Sequence, residues 1–176
     1  MGVEGATLEV PTHEHEEHPK HRKLVIIAWS GELDKVWPQM ILATSGAAMG
    51  METTIFFTFW GLFSLVKDDR HITGDNWMQK MVAMMDRPGM EHLKLGKMNF
   101  VGAGPAMMKK LAKEHNVASP GDLLNMAVDL GVKLVPCQMT MDLLGLKRED
   151  MIDGVGEPAG AAAMLLEAQD AVTLFI

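Results

Sequence analysis

The stretch KLVIIAWSGELDKVWPQMILATSGAAMGMETTIFFTFWG, residues 23–61, determines the fold class. It begins with a short apolar run rich in β-branched residues, at positions 24–29, which is typical of a strand buried on both faces. Residues 33–49 follow with apolar side chains at helical spacing. A second β-rich run occupies residues 53–59. Strand, helix and strand within about 40 residues predict a right-handed βαβ unit, so the sheet is expected to be parallel.

The rest of the chain continues this alternation. Ser119-Pro-Gly-Asp122 matches a helix-capping box with proline at the first helical position, and the helix that it starts is expected to end at Gly131. The other predicted elements are a Met-rich amphipathic helix within residues 67–97, a brief strand at 99–102, a helix at 105–115, a strand at 132–135, helices at 138–144 and 158–168, and a strand at 171–176. This pattern predicts an α/β fold with a doubly wound, flavodoxin-like or Rossmann-like, parallel sheet of four or five strands and helices on both faces.

The chain is long enough for one ordinary domain, predicted to span residues 23–176. Residues 1–22 are polar, contain two prolines and show no helical or strand periodicity, which predicts a flexible tail rich in His and Glu. The histidines and glutamates at positions 13–21 are conceivable zinc or nickel ligands. Because a loose tail lacks the surrounding groups that orient ligands, we predict no metal site.

Charge and cysteine content narrow the functional classes. The net charge of -7 argues against nucleic-acid binding, which needs clustered Lys and Arg. A single cysteine excludes an intrachain disulfide, and the N-terminus lacks a secretory pattern, so a cytoplasmic location is expected. The most apolar run, residues 53–66, is shorter than the roughly 20 residues of a membrane helix, and no membrane association is predicted.

The candidate site lies where three predicted strands end. Ligands of open parallel sheets bind outside the carboxyl ends of the strands. Cys137 is the candidate reactive residue, because a thiol at a helix N-terminus gains thiolate character. Backbone N–H groups there, with glycines that allow close approach, can hold an anionic sulfur species such as thiosulfate. The alternative is that Cys137 only packs as a small apolar side chain. The candidate substrate-binding residues are Trp29, Ser30, Gly31, Trp60, Gly61 and Gln138.

Four segments together resemble the DsrE/DsrF/DrsH-like family. They are KLVIIAWSGELDKVWPQMILATSGAAMG, METTIFFTFWGL, VKLVPCQMTMDLLG and EPAGAAAMLLEAQDAVTLFI, and the likeness covers most of residues 23–176. Its most specific part is CQMTMDLLG, residues 137–145, which resembles the C-x-M-[ST]-M-x-x-x-G of relatives that work beside small TusA-like sulfur carriers.

The resemblance implies an oligomeric cytoplasmic sulfur-transfer protein, a trimer or tetramer, that needs no cofactor. Cys137 would bind a persulfide or thiosulfonate and pass it to a cysteine of a TusA-like partner, acting as a carrier rather than as a turnover enzyme. Some members have a second cysteine that is absent here. The implied mechanism therefore uses a single thiol.

Two other functions are considered. A thiol peroxidase of the peroxiredoxin type has a threonine three residues before its cysteine, whereas this chain has Leu134 there. The second alternative is a non-catalytic oligomeric module whose Met-rich helices bind another protein, with Cys137 incidental. Thiol reactivity separates this module from a sulfur carrier.

Deletion of residues 1–21 should leave folding and sulfur loading unchanged, because the predicted tail contributes neither core nor site residues. Circular dichroism and mass spectrometry of the loaded protein check this expectation. A truncated protein that folds but no longer takes up sulfur would instead assign the tail histidines to the site.

Overall fold

The computed structural model describes residues 23–69, 77–79, 81, 89–97, 99 and 102–176. In this part of the chain one four-stranded sheet has the order β3-β2-β1-β4, and all its strand pairs are parallel. The strands are β1 Lys23–Ala28, β2 Glu52–Phe57, β3 Lys133–Pro136 and β4 Ala171–Phe175. The predicted α/β class with a four- or five-stranded parallel sheet is confirmed.

Helices connect the strands. The α-helices are α1 Leu33–Ala48, α2 Ala103–Glu114, α3 Pro120–Asp129, α4 Gln138–Leu144 and α5 Ala161–Glu167. Short 3₁₀ helices cover Phe59–Leu65, Met90–His92 and Arg148–Asp150. The predicted tail, the Met-rich helix and the brief strand at 99–102 lie wholly or largely outside the described residues. None of the helices in the described ranges is long and apolar enough to cross a membrane.

The sheet separates two apolar clusters of different size. Side chains that alternate along β1 point to opposite faces, as the pleat requires. Leu24, Ile26 and Ala28 belong to the large cluster, together with residues of α1 and α3. Val25 belongs to the small cluster on the other face, which Met164 of α5 joins. Helices therefore cover both faces, but the second face is covered more thinly.

The second strand is shorter than predicted. β2 ends at Phe57 instead of residue 59, because Phe59 adopts a left-handed backbone conformation with φ 49°. A left-handed residue turns the chain away from an extended path, and a 3₁₀ helix begins here. The segment Phe59–Leu65 is thus a short 3₁₀ helix that follows the end of β2.

The ends of α3 and α5 follow the local sequence signals to different degrees. The capping box before α3 is present, with the Asp122 backbone N–H donating to Ser119 Oγ at 3.1 Å. The helix, expected to end at Gly131, ends at Asp129, and the exposed Leu130 is its C-cap residue. The last helix begins at Ala161 instead of residue 158, because Ala159 pairs with the end of β3 in a strand-like bridge.

Candidate functional site

Cys137 lies at the strand-to-helix turn predicted from the sequence. It directly follows β3 and is the N-cap residue of α4, with an extended backbone. Its N–H donates to the Phe57 carbonyl at 2.8 Å, and it forms a parallel bridge with Ala159. Gly145 ends α4 with φ 70°. The backbone of Cys137 is therefore held on both sides, by the end of β2 and by the segment that contains Ala159.

The thiol is free but mostly covered, with only 6% of the residue exposed. It belongs to the small cluster on the second face of the sheet, with Val25, Phe56 and Met164. Burial in such surroundings disfavours a charged thiolate unless polar groups compensate.

Two threonines supply polar groups on this site. Thr140 lies on the first turn of α4 and is 4% exposed. Its Oγ1 is 3.1 Å from Oγ1 of Thr58, which follows β2, and it accepts a hydrogen bond from the Phe59 N–H at 3.2 Å. The hydroxyl pair thus joins the end of β2 to the helix that begins after Cys137.

The pKa of the Cys137 thiol is lowered by these groups. Burial alone raises it, but the Thr140 hydroxyl, the Thr140 N–H, the Thr58 hydroxyl and the Met139 N–H together outweigh burial. The Cys137 side chain makes no capping hydrogen bond with α4. We therefore assign the effect to the thiolate, since an anion draws donors closer than a neutral thiol does. A lowered pKa increases the thiolate fraction near neutral pH, and the thiolate is the nucleophilic form.

The loops after β1 and β2 pack directly against each other. The Gly61 N–H donates to the Trp29 carbonyl at 3.1 Å. A Cβ on Gly31 would lie 2.6 Å from the Trp60 carbonyl oxygen, and one on Gly61 would lie 2.3 Å from the Ala28 carbonyl oxygen. The glycines were predicted to admit a ligand; in the structure their missing side chains make room for neighbouring backbone.

The other predicted substrate-binding residues interact with neighbouring groups of the protein. Ser30 is buried and accepts a hydrogen bond from the Glu32 N–H at 3.2 Å. Trp29 stacks on Phe175 with ring centroids 6.2 Å apart, and Trp60 stacks on Phe63 at 5.9 Å. The exposed Gln138 amide donates to Asp142 at 2.8 Å.

The structure brings the three predicted strand ends to one edge of the sheet. The hydroxyl groups that lower the pKa of the thiol, however, belong to Thr58 and Thr140, which are not among the candidate residues predicted from the sequence. A signal for each was present. Thr140 occupies the [ST] position of the quoted motif, and Thr58 is the first polar residue after the run IFF of β2.

A cleft of about 510 Å³ lies away from Cys137, beside the N-terminus of α3. Its lining includes the acidic side chains of Asp68, Glu91, Asp122 and Asp153, but not Cys137 or either threonine of the site. Within the described residues, no three His, Cys, Asp or Glu side chains come together as possible metal ligands.

A parallel α/β sheet with a thiol between β3 and α4 fits the family that the cysteine motif resembles. Comparison with known proteins shows that the chain is a member of this family. The chain belongs to the DsrE/DsrF/DrsH-like family, whose model matches residues 20–175.

Among individual relatives, the chain is 42% identical to the uncharacterized protein YrkE of Bacillus subtilis, over 88% of this chain and 97% of that protein. It is 38% identical to the sulfur carrier protein DsrE2 of Allochromatium vinosum, over 82% of this chain and 91% of that protein. The crystal structure of the ychN protein from E. coli matches with a TM-score of 0.55 and 12% identity, over 88% of this chain and 99% of that one. This last similarity supports the fold alone.

Proposed function

We propose that the protein is a sulfur carrier that holds a persulfide or thiosulfonate on Cys137 and delivers it to a TusA-like carrier in the cytoplasm, within oxidative sulfur metabolism. The observation that supports this most is the thiol itself, which lies between β3 and α4 with a lowered pKa despite its burial. Similarity to a protein named as a sulfur carrier agrees with the proposal.

Loading and delivery are both thiol exchange reactions. The Cys137 thiolate attacks an outer sulfur of a polysulfide, forms a new S–S bond and releases a polysulfide shorter by one sulfur. With tetrathionate, attack on a central sulfur gives a thiosulfonate and releases thiosulfate. A partner thiolate then attacks the outer sulfur of the persulfide, and the Cys137 thiolate leaves. No external oxidant or reductant is required, because each step exchanges one S–S bond for another.

The peroxidase alternative receives no support from the site. Leu134, three residues before the thiol, lies in the large apolar cluster and offers no hydroxyl to orient a peroxide. Thr58 and Thr140 are at different positions from the threonine of a peroxiredoxin-type site. Whether the thiol carries and transfers sulfur distinguishes a sulfur carrier from a non-catalytic interaction module.

Transfer tests the proposal. Protein loaded with polysulfide and freed of excess reagent should lose its added sulfur when mixed with a reduced TusA-like carrier, and the acceptor should gain the same mass. Intact-mass spectrometry of both proteins over time measures this exchange. A loaded protein that keeps its sulfur in the presence of acceptor, or that loads none, would contradict the carrier function.

We further propose that the chain assembles as a homo-oligomer, a trimer or tetramer, through β4. In the described part of the chain β4 pairs only with β1, whereas the outer edge of β3 is bridged by Val155 and Ala159. Val172 and Phe175 of β4 are exposed, as are Leu165 and Leu166 of the preceding helix α5. An uncovered apolar edge without lysine or proline readily pairs with another strand.

A second copy of β4 suits this edge. The backbone N–H and C=O of Ile176 both form hydrogen bonds on the side of β1. Because successive residues of a strand point these groups to opposite sides, the N–H and C=O groups of Thr173 and Phe175 face away from β1, toward the open edge. Two antiparallel copies centred on Thr173 would place Ala171 opposite Phe175, a small residue against a large one, and no charged residue lies within the strand. Such a two-fold contact favours the tetramer over the trimer.

Phe175→Asp should convert the oligomer into smaller species, because it places a charge within the proposed apolar contact, opposite Ala171 of the second copy. Phe175 is 69% exposed within the chain, so the monomer fold should persist. Light scattering at micromolar concentration measures the mass. The matched control is Met107→Asp on α2, which is 61% exposed and should not change assembly. A monomeric wild type, or equal masses for all three proteins, would overturn the proposal.

A further inference from the structure

We propose that Met164 is a movable cover of the Cys137 thiol, which makes room for bound sulfur and determines by size which sulfur compounds reach the thiol. The inference rests on the proposed function and deepens it by naming a residue that selects the cargo. Its test measures access to the thiol directly and requires no transfer to a partner.

The helix that carries this methionine begins beside the thiol. The Ala159 N–H donates to the Pro136 carbonyl at 3.0 Å, and Ala159 forms a parallel bridge with Cys137. Gly160 follows as the N-cap of α5, and Met164 is about one helical turn further along. The first turn of α5 therefore lies next to the strand end that carries the thiol.

Met164 is the residue through which α5 covers this face of the sheet. Of the residues of α5 it alone is buried, with 5% exposed, whereas Leu165 and Leu166 are 67% and 66% exposed. It belongs to the small cluster that contains the thiol, and the other two buried members of that cluster, Val25 and Phe56, come from the sheet itself. Within the described residues, Met164 is therefore the only buried member that a covering element contributes.

Met164 is also the member of the cluster that can move. Uptake of sulfur adds an atom to the Cys137 side chain in a closely packed interior, where few voids exist. Val25 and Phe56 lie on β1 and β2, each of which is paired with a strand on both sides. A methionine side chain has several rotatable bonds and adapts its shape to irregular spaces. Room for the cargo therefore comes from a shift of Met164.

Two features make this cover easy to displace. The Lys133 ammonium is 3.5 Å from a Glu167 carboxylate oxygen, but both side chains are partly exposed, so the ion pair stabilises α5 only weakly. Thr54 is on the same face as the thiol, since it alternates with Ile55 of the large cluster, and its buried hydroxyl has no hydrogen-bond partner in the described part of the chain. Such a hydroxyl is unfavourable while it stays covered. Displacement of Met164 therefore costs little beyond the loss of its own burial.

The cover discriminates between sulfur compounds by their width. An unbranched sulfur chain is narrow and needs only a small shift of the methionine. A bulky disulfide requires the Met164 side chain to leave the cluster for water. Because burial of a methionine side chain is favourable, this displacement should slow the reaction with a bulky reagent by about tenfold or more.

The test compares two reagents of different size that react with the same thiol. With methyl methanethiosulfonate, which is small, the Cys137 thiolate forms an S–S bond to the methylthio sulfur and methanesulfinate leaves. With dithiobis(nitrobenzoate), a bulky aromatic disulfide, it forms a mixed disulfide and thionitrobenzoate leaves. Both reagents attack the thiolate, so a changed thiolate fraction alters the two rates alike. The chain has one cysteine, so each rate reports on Cys137 alone.

In the full-length protein, Met164→Ala should react about tenfold faster with the bulky disulfide than the wild type does, while its rate with the small reagent should change by less than about threefold. Met164→Leu keeps nearly the same volume and should retain the slow reaction with the bulky disulfide. Met164→Val should be accelerated less than Met164→Ala and keeps the test decisive if Met164→Ala does not fold. Absorbance of released thionitrobenzoate and intact-mass spectrometry measure the two rates.

The matched control is Met90→Ala, which truncates a methionine of similar burial, 6% exposed, in the large cluster on the other face. Thermal unfolding of each variant identifies any loss of fold. Equal acceleration with both reagents in Met164→Ala, an unchanged rate with the bulky disulfide in Met164→Ala and Met164→Val, or the same acceleration in Met90→Ala would overturn the assignment. The expected size selection in a protein that never loads sulfur would retain Met164 as the cover and reject the carrier function.

Discussion

Cys137→Ser should carry no sulfur and deliver none, while keeping its fold and its assembly. Serine is nearly the same size as cysteine and is a favourable N-cap residue, so α4 should still begin at Gln138. Its hydroxyl does not form the anion that attacks sulfur at neutral pH. Because the chain has one cysteine, no other thiol can substitute. The expected loss is complete, and intact-mass spectrometry after polysulfide treatment measures it.

Circular dichroism, thermal unfolding and light scattering provide the control for this variant, since each should match the wild type. If Cys137→Ser still delivered sulfur to an acceptor, the cargo would be bound elsewhere and the role assigned to the thiol would be wrong.

Gly61→Ala should destabilise the fold by about 3 kcal/mol, near the upper end of what overpacking costs. Its Cβ would lie 2.3 Å from the Ala28 carbonyl oxygen and 2.8 Å from the carbonyl carbon. These atoms belong to the end of β1, which is paired on both sides and cannot move aside like a flexible side chain. The Ala28 carbonyl also accepts a hydrogen bond from the Thr58 N–H at 2.9 Å, so relief of the clash would disturb the site.

Denaturant unfolding measures this loss, and Gly160→Ala is the matched control. A Cβ on Gly160 would meet nothing within 4 Å. Gly160 is the N-cap of α5, where alanine is less favourable than glycine, so the control should cost no more than about 1 kcal/mol. Equal unfolding free energies for the two variants would show that the loops after β1 and β2 are not held as closely as described.

The fold was predictable because burial on both faces leaves a clear pattern in sequence. The run LVII of β1 is apolar at consecutive positions since Leu24 and Val25 face different clusters. The capping box at Ser119 and the terminating Gly145 are local signals, and both helix ends lie where they indicate. Phe59 gave no comparable signal, because a left-handed conformation at a phenylalanine follows from tertiary contacts and not from local preference.

The candidate site was predictable only in part. Topology placed Cys137 at the edge of the sheet where the strands end, and its position there follows from the strand and helix patterns. Thr58 and Thr140 are 82 residues apart in the chain, so no local pattern indicates that their hydroxyls meet. Gly31 and Gly61 were recognised as places of close approach, but the sequence does not reveal whether the approaching group is a ligand or, as the structure has it, backbone.

The most direct test of the central claim is the mass of the folded wild-type protein after exposure to tetrathionate or polysulfide, followed by peptide mapping. We predict an added persulfide or thiosulfonate confined to the peptide that contains Cys137, removed completely by a thiol reductant. A folded protein whose mass stays unchanged while the Cys137 thiol remains free would contradict sulfur carriage and favour the interaction module.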